Sequence, residues 1–137
     1  MNVPALAGWL AGLQHRRENG TSSETLKASA QRLKHLATEL YERLDQIDEI
    51  RLVGRPADPV LPVASIAIEG MPASDAAMIL DGEFGIEVRS GLHCAALIHD
   101  AIDSPADGTL RISCGEETTL EELDILADAL RQVVGET

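Results

Sequence analysis

The densest group of reactive side chains lies in the segment Arg89-Ser90-Gly91-Leu92-His93-Cys94-Ala95. The sequence pattern predicts a short helix from His93 to about Ile102, with Cys94 at its start. Exposed amides and the helix dipole at such an end favour a thiolate, and Arg89 and His93 add positive charge nearby. The chemistry this predicts is nucleophilic attack by the Cys94 sulfur. The alternative is a buried cysteine that packs as a small hydrophobe.

A second candidate, Arg111, lies between Leu110 and Ile112 on a strand predicted over Thr109 to Cys114. Because side chains alternate along a strand, Arg111 should face away from the apolar side. A guanidinium held beside a thiol can bind a carboxylate through two parallel hydrogen bonds. The alternative is a surface arginine paired with one of the many acidic residues of the chain.

Metal binding is the weaker interpretation of the same region. His93, Cys94, His99 and Cys114 are metal-ligand types, but their spacing matches no recognised zinc pattern. The five-residue step from Cys94 to His99 would also put them on different faces of a helix. We therefore predict no metal site.

The composition is that of a soluble globular protein: 137 residues, 45% hydrophobic and 25% charged, with a net charge of -12. Such an acidic chain repels phosphate backbones and anionic lipid, which argues against nucleic-acid binding and a role at membranes. The longest apolar run, Val3 to Leu13, is shorter than the about 20 residues that a spanning helix needs. Two cysteines cannot make a disulfide framework, and no positive charge precedes Arg16 as in a signal peptide, so we expect a cytoplasmic location.

The spacing of apolar residues predicts five helices. They cover Pro4 to about Glu18, the residues after Gly20 as far as Ile47, Pro72 to about Asp81, His93 to about Ile102, and a last helix that is capped by Thr119. Capping boxes are predicted for the second helix, from Thr21 and Glu24, and for the last, from Thr119 and Glu122. The apolar face of the second helix suits a sheet better than a coiled coil; its residues are Leu26, Ala30, Leu33, Ala37, Leu40, Leu44 and Ile47. The inward face of the last helix is predicted to be Leu120, Leu123, Ala127, Leu130 and Val134.

The first helix is apolar or small on all sides, because Leu6, Trp9, Leu10 and Leu13 share it with alanines and glycines. A helix without a polar face must be covered all round. Two alternatives remain open: burial within this domain, or docking onto something outside it.

Short strands are predicted between the helices, over Ile50 to Val53, Val63 to Glu69, Ile86 to Arg89 and Thr109 to Cys114. Ser90 and Gly91 are expected to end the third strand, and Gly82 to Gly85 to form a turn. The fold class that follows is α+β: a sheet of three or four strands with helices packed mainly on one face, preceded by a separate first helix.

Taken together, the segments from Gly85 to Ala95 and from Gly108 to Ser113, followed by an acidic final helix, resemble a known domain. They are similar to the C-terminal small domain of class V aminotransferase-fold enzymes, within the branch of cysteine desulfurases and selenocysteine lyases that use pyridoxal phosphate. The Arg-x-Gly-x-His-Cys-Ala run that ends at Ala95 is the specific part. The resemblance implies that residues 1–20 are the helix linking a large domain to a small domain of residues 21–137.

The same resemblance implies roles for individual residues. Cys94 matches the cysteine that takes sulfur from the substrate as a persulfide, leaving alanine. Arg111 matches the arginine that holds the substrate carboxylate, and Arg89 matches a second arginine at the rim of the active site. His93 neighbours the nucleophile in a supporting position.

In that family the cofactor lysine and the phosphate-binding groups belong to the large domain, whereas this chain has only Lys27 and Lys34, both on the second helix. We therefore expect no bound cofactor and no activity from this chain alone, and a pyridoxal phosphate-binding large domain as its partner. The alternative is a non-catalytic binding or persulfide-carrying module that works with a separate chain, or pairs with a second copy through the first helix.

Overall fold

The computed structural model describes residues 2–19, 22–102 and 104–135. These residues form five helices and four strands, which confirms the predicted α+β class. In chain order the elements are α1 (Val3–Asn19), α2 (Ser23–Leu44), β1 (Ile50–Val53), β2 (Val63–Ile68), α3 (Ala73–Phe84), β3 (Arg89–Gly91), α4 (Ala96–Ala101), β4 (Thr109–Ser113) and α5 (Leu120–Gly135).

The four strands form one antiparallel sheet in the order β1-β2-β4-β3. One face of this sheet is the core, where Ile66 and Leu110 are fully buried against α2, α3 and α5. Each of these three helices contributes an apolar stripe to that core, and the central residues are Leu40, Leu44, Leu80, Leu123 and Leu130. The prediction of helices packed on one face is confirmed.

The opposite face of the sheet is polar at its centre, as period-two alternation requires. Arg111 pairs with Ser65 on one side and with Arg89 on the other, so the three residues form a row across β2, β4 and β3. Leu110 and Ile112, the neighbours of Arg111, are buried in the core. The prediction that Arg111 faces away from the apolar side is therefore confirmed.

The chain divides into two compact units, Met1–Arg32 and Leu33–Thr137, and the division falls within α2. In the first unit the apolar residues of α1 are exposed, Trp9 by 69% and Leu10 by 55%. The two alternatives for this helix, burial within this domain and docking onto something outside it, both stay open. The boundary at residue 20 stays a prediction. No helix in the described parts of the chain is long and apolar enough to cross a membrane.

Capping explains where two of the helices begin. The predicted box on α5 is confirmed, since Glu122 accepts from the Thr119 amide at 2.8 Å and Thr119 accepts from the Glu122 amide at 3.2 Å. Thr21, the predicted cap of α2, lies outside the described residues. Before that helix, the Ser22 hydroxyl accepts from the Thr25 amide at 3.1 Å. The cap position is where a serine hydroxyl replaces a missing backbone acceptor.

Two leucines expected on inward faces are exposed, Leu26 by 54% and Leu120 by 40%. Leu26 belongs to the first compact unit. Leu120 is the first residue of α5, one turn ahead of Leu123, where the buried stripe begins.

The end of α3 differs from its prediction, because Gly82 lies inside the helix and not in a turn. The helix runs to Phe84 and ends at Gly85, which has a positive φ of 64°. The amide of Ile86 then donates to the Leu80 carbonyl at 2.9 Å, which satisfies a carbonyl group near the end of the helix.

The third strand was placed wrongly at Ile86 to Arg89; it is Arg89–Gly91, so Ser90 and Gly91 lie within it. The Ile86 amide is bonded to the end of α3, and pairing with β4 begins at Arg89.

A close backbone approach between two glycines closes the β3–β4 pair. Gly91 is the pairing partner of Thr109, and Gly108 lies directly against it with a φ of +95°. A Cβ at Gly108 would come within 2.2 Å of the Gly91 carbonyl carbon and oxygen, a distance that no side chain can adopt. Gly108 is therefore required both for its conformation and for its lack of a side chain.

We expect Gly108→Ala to lower the free energy of unfolding by about 2–4 kcal/mol, because it adds a backbone clash to left-handed strain. The matched control is Gly82→Ala in α3, where the new methyl group meets nothing within 4 Å. That change should raise the free energy of unfolding by about 0.5–1 kcal/mol through helix propensity. Urea denaturation of both variants measures the difference, and equal effects would contradict the assignment.

Candidate active site

Cys94 is exposed and lies in a tight turn between β3 and α4. The Ala95 amide donates to the Leu92 carbonyl at 2.9 Å, closing a turn whose central residues are His93 and Cys94. Both have a positive φ, 52° and 62°, which is the conformation of a type I′ turn. Glycine and asparagine are the usual residues there, so the turn holds its nucleophile in a strained backbone.

The prediction that Cys94 starts a helix is wrong, because α4 begins at Ala96 and contains only six residues. No glycine marks this turn in the sequence, so the pattern predicts a helix that includes it. The positive charge at Cys94 comes instead from Arg89, whose Nη2 lies 3.5 Å from the Cys94 sulfur. A guanidinium at this distance can donate a hydrogen bond to the sulfur and attract an anionic group attached to it.

Arg89 and Arg111 are direct partners across β3 and β4, so their side chains project from the same face of the sheet. Like charges directly opposite each other destabilise a sheet, and an anion bound between them removes that cost. The Nε atom of Arg111 is buried and has no hydrogen-bond partner within the described residues. A guanidinium with an unpartnered Nε has the donor pair that a carboxylate binds side-on.

His93 is fixed to the start of β4. Its Nε2 lies 3.1 Å from both the carbonyl and the hydroxyl oxygen of Thr109, a residue only 1% exposed. The carbonyl can only accept, so Nε2 carries the proton and Nδ1 is left as an acceptor. That Nδ1 is buried and has no partner within residues 2–19, 22–102 and 104–135.

The electrostatic surroundings keep His93 neutral. Burial lowers the pKa of His93 from its ordinary value of 6.5, and the charges of Arg111, Arg89 and His99 lower it further. The hydrogen bond to Thr109 raises the pKa of His93, but its effect is smaller than that of burial. At neutral pH the residue next to the nucleophile therefore adds no positive charge, contrary to the expectation for the cluster.

His99 is a residue of this site that the sequence pattern did not reveal. It is only 6% exposed, and its Nε2 donates to the Leu92 carbonyl at 3.1 Å, at the base of the Cys94 turn. Its Nδ1 contacts the Ser104 hydroxyl on the segment that leads into β4. The sequence identifies His99 only as a possible metal ligand, and its pattern does not predict that the ring is buried under the turn.

Cys114, the second thiol, lies away from this arrangement. It borders a cavity of about 380 Å³ between the end of β4 and the start of α5. Burial raises the pKa of the Cys114 thiol, and the Glu122 carboxylate raises it further. Among the residues the structure describes, no three histidine, cysteine or acidic side chains come close enough together to hold a metal ion.

Comparison with known proteins identifies the family. The sequence model of the class V aminotransferase family matches residues 2–126. The chain belongs to this family. The resemblance that the Arg-x-Gly-x-His-Cys-Ala segment indicated is thus confirmed.

The relatives that this chain matches are named as cysteine desulfurases. A probable cysteine desulfurase of Vibrio cholerae is 37% identical over 102 residues, which is 74% of this chain and 24% of that protein. A probable cysteine desulfurase of Methanothermobacter thermautotrophicus is 36% identical over 102 residues, 73% of this chain and 25% of that protein. The chain therefore spans about a quarter of the length of these relatives.

A solved structure agrees with the fold. The apo cysteine desulfurase of Thermococcus onnurineus superposes with a TM-score of 0.71 at 28% identity, covering 80% of this chain and 27% of that one.

The low pKa of His93 makes the stability of the protein pH-dependent. Unfolded histidine takes up a proton near its ordinary pKa of 6.5, while the folded residue does so only at lower pH. Acid therefore favours the unfolded state. We expect stability to fall as the pH drops below about 6.5. His93→Gln should flatten this part of the curve, whereas His35→Gln, at an exposed site on α2, should not. An unchanged curve for His93→Gln, measured by urea titration at several pH values, would rule out a buried neutral histidine.

Proposed function

We propose that this chain is the small C-terminal domain of a cysteine desulfurase-like enzyme, and that Cys94 receives the sulfur atom. The observation that carries the proposal is the exposed Cys94 thiol 3.5 Å from the Arg89 guanidinium. That pair lies beside an arginine with a buried, unpartnered Nε, Arg111. A sulfur nucleophile and a carboxylate clamp are what the transfer of sulfur from an amino acid requires.

The proposed reaction converts the Cys94 thiol and free cysteine into a Cys94 persulfide and alanine. The Cys94 thiolate forms an S–S bond with the substrate sulfur as the Cβ–S bond of the substrate breaks. The electron pair of the broken bond stays on the Cβ atom, which takes up a proton to become the methyl group of alanine. No external oxidant or reductant is needed.

We assign the substrate carboxylate to Arg111, in line with the family resemblance. Nε and one terminal nitrogen of that guanidinium form the planar donor pair that fits a carboxylate. Arg89 is the second arginine of the pair. Its position at the sulfur extends its role from the rim of the site to the reacting atom.

The resemblance implies pyridoxal phosphate, which supplies an electron sink for the carbon of the substrate. The described residues do not fit this cofactor. Lys34 is paired with Asp58 at 2.8 Å on the surface of α2, and Lys27 is exposed on the same helix. The cavity that adjoins β3 contains Asp81 and Glu87, which would repel a phosphate. We therefore propose that a separate large domain, in the same chain or in another, holds the cofactor.

A second proposal has a different observation in its favour. The apolar residues of α1, among them Val3, Leu6 and Trp9, are exposed, and contiguous exposed apolar surface is typical of a binding site. A persulfide-carrying module would use this surface to bind a separate partner chain or a second copy. The cytoplasmic location expected from the sequence stays a proposal as well.

The decisive experiment combines this chain with the product of the coding sequence immediately upstream. With cysteine and pyridoxal phosphate, we expect equimolar alanine and sulfide in the presence of a thiol reductant. Cys94→Ser should abolish both products, while Cys114→Ser should keep most of the activity. Arg111→Lys should raise KM for cysteine about tenfold or more, because loss of a bidentate carboxylate contact costs about 1.5–3 kcal/mol. Full activity in Cys94→Ser would refute the proposal.

For the chain by itself, we expect no absorbance band of a lysine-bound cofactor after incubation with pyridoxal phosphate. Lys34 is already paired with Asp58, and the cavity beside β3 has acidic side chains that would repel a phosphate. A band that disappears in Lys27→Ala or Lys34→Ala would show that this chain holds the cofactor after all. Mass spectrometry after mixing with a persulfide donor tests the carrier alternative, which requires one added sulfur on Cys94 and none on Cys94→Ser.

A further inference from the structure

We propose that His99 is the positioning residue of the nucleophile: through its ring N–H it fixes the turn that carries Cys94 and so keeps the sulfur beside Arg89. The proposal concerns this chain's own geometry. It rests on the proposed function only in that the positioned sulfur is the one that forms the persulfide.

The central observation is the carbonyl oxygen of Leu92, which accepts two hydrogen bonds. One comes from the Ala95 amide at 2.9 Å and closes the turn; the other comes from His99 Nε2 at 3.1 Å. The first bond belongs to the turn itself, and the second ties the turn to α4. Because a carbonyl oxygen only accepts, His99 must present a proton at Nε2.

The turn needs such a tie, because His93 and Cys94 both have a backbone conformation that residues with side chains rarely adopt. Left to itself, a His-Cys pair would relax towards negative φ, and the Cys94 sulfur would swing away from its present position. The 3.5 Å contact with Arg89 is a single long hydrogen bond at an exposed site, too weak to hold this backbone alone. His99 supplies a buried contact at the base of the turn instead.

The other side of the ring anchors His99 to the chain that follows α4. Its Nδ1 contacts the Ser104 hydroxyl, and the Ser104 amide donates to the His99 carbonyl at 3.2 Å. Pro105, next in the chain, accepts the Gly108 amide at 2.9 Å at the entry to β4. The imidazole thus bridges the turn before α4 and the segment after it.

The plainer alternative is that His99 only fills space beneath α4. The two roles differ in what they require of the side chain. Positioning requires an N–H group aimed at the Leu92 carbonyl, which glutamine can supply. Space-filling requires a ring of similar volume, which phenylalanine supplies without any N–H.

The test uses a Cys114→Ser background, in which Cys94 is the remaining thiol. The second-order rate constants for alkylation by anionic iodoacetate and by neutral iodoacetamide are measured, and their ratio reports the positive charge at the sulfur. A change in exposure alone alters both rate constants and leaves the ratio unchanged.

We expect His99→Phe to lower the iodoacetate-to-iodoacetamide ratio about three- to fivefold, the effect of a unit charge near 4 Å in a largely solvated setting. Arg89→Met should lower it by the same factor, and the double variant no further, because both changes remove the same charge from the sulfur. His99→Gln should keep a ratio close to that of the parent protein. His35→Phe, on the exposed face of α2, is the control and should change nothing.

The proposal fails if folded His99→Phe keeps the parent ratio, or if phenylalanine keeps the ratio while glutamine loses it. Should His99→Phe not melt cooperatively, Ser104→Ala takes its place. A lowered ratio then supports the proposal, and an unchanged ratio overturns it. Alkylation requires neither cofactor nor substrate, so a failed desulfurase assay leaves this result standing, and the reverse also holds.

Discussion

The antiparallel pairing of β3 with β4 is the constraint on which the site depends. It sets Arg89 opposite Arg111, and it brings Gly91 against Gly108 more closely than any side chain would permit. It also gives the Cys94 turn a rigid base, because the strand that ends at Gly91 leads directly into Leu92. The core helices support the site by burying Leu110 and Ile112, which presents Arg111 on the opposite face of the sheet.

Charge and strain are distributed around one sulfur atom. The protein carries a net charge of -12, yet two arginines face each other here, with a histidine kept neutral beside them. Neutrality matters, because a third cation would add to the repulsion between the guanidinium groups. The arrangement suits the binding of an anion, because an anion would offset the repulsion between the two arginines.

The sequence predicted the fold class, the capping of α5, the strands β1, β2 and β4, and the direction of Arg111. These features were predictable because the spacing of apolar residues follows from which side chains are buried. It misplaced β3, the end of α3 and the start of α4. In these places the outcome depends on backbone contacts that leave little trace in residue types: the Ile86–Leu80 bond, the Gly91–Gly108 contact and the positive φ of His93 and Cys94. The sequence identified His99 only as a metal-ligand type, because its contact with the turn is to a backbone carbonyl group seven residues away.

The shortness of β3 has a further effect. An edge strand exposes unpaired amides and carbonyls that can recruit a strand from a neighbouring molecule, and proteins guard against such aggregation by keeping edge strands brief. At three residues, β3 offers too little backbone for intermolecular strand addition, and Arg89 adds a charge there. The margin of the sheet nearest Cys94 therefore discourages self-association through the backbone.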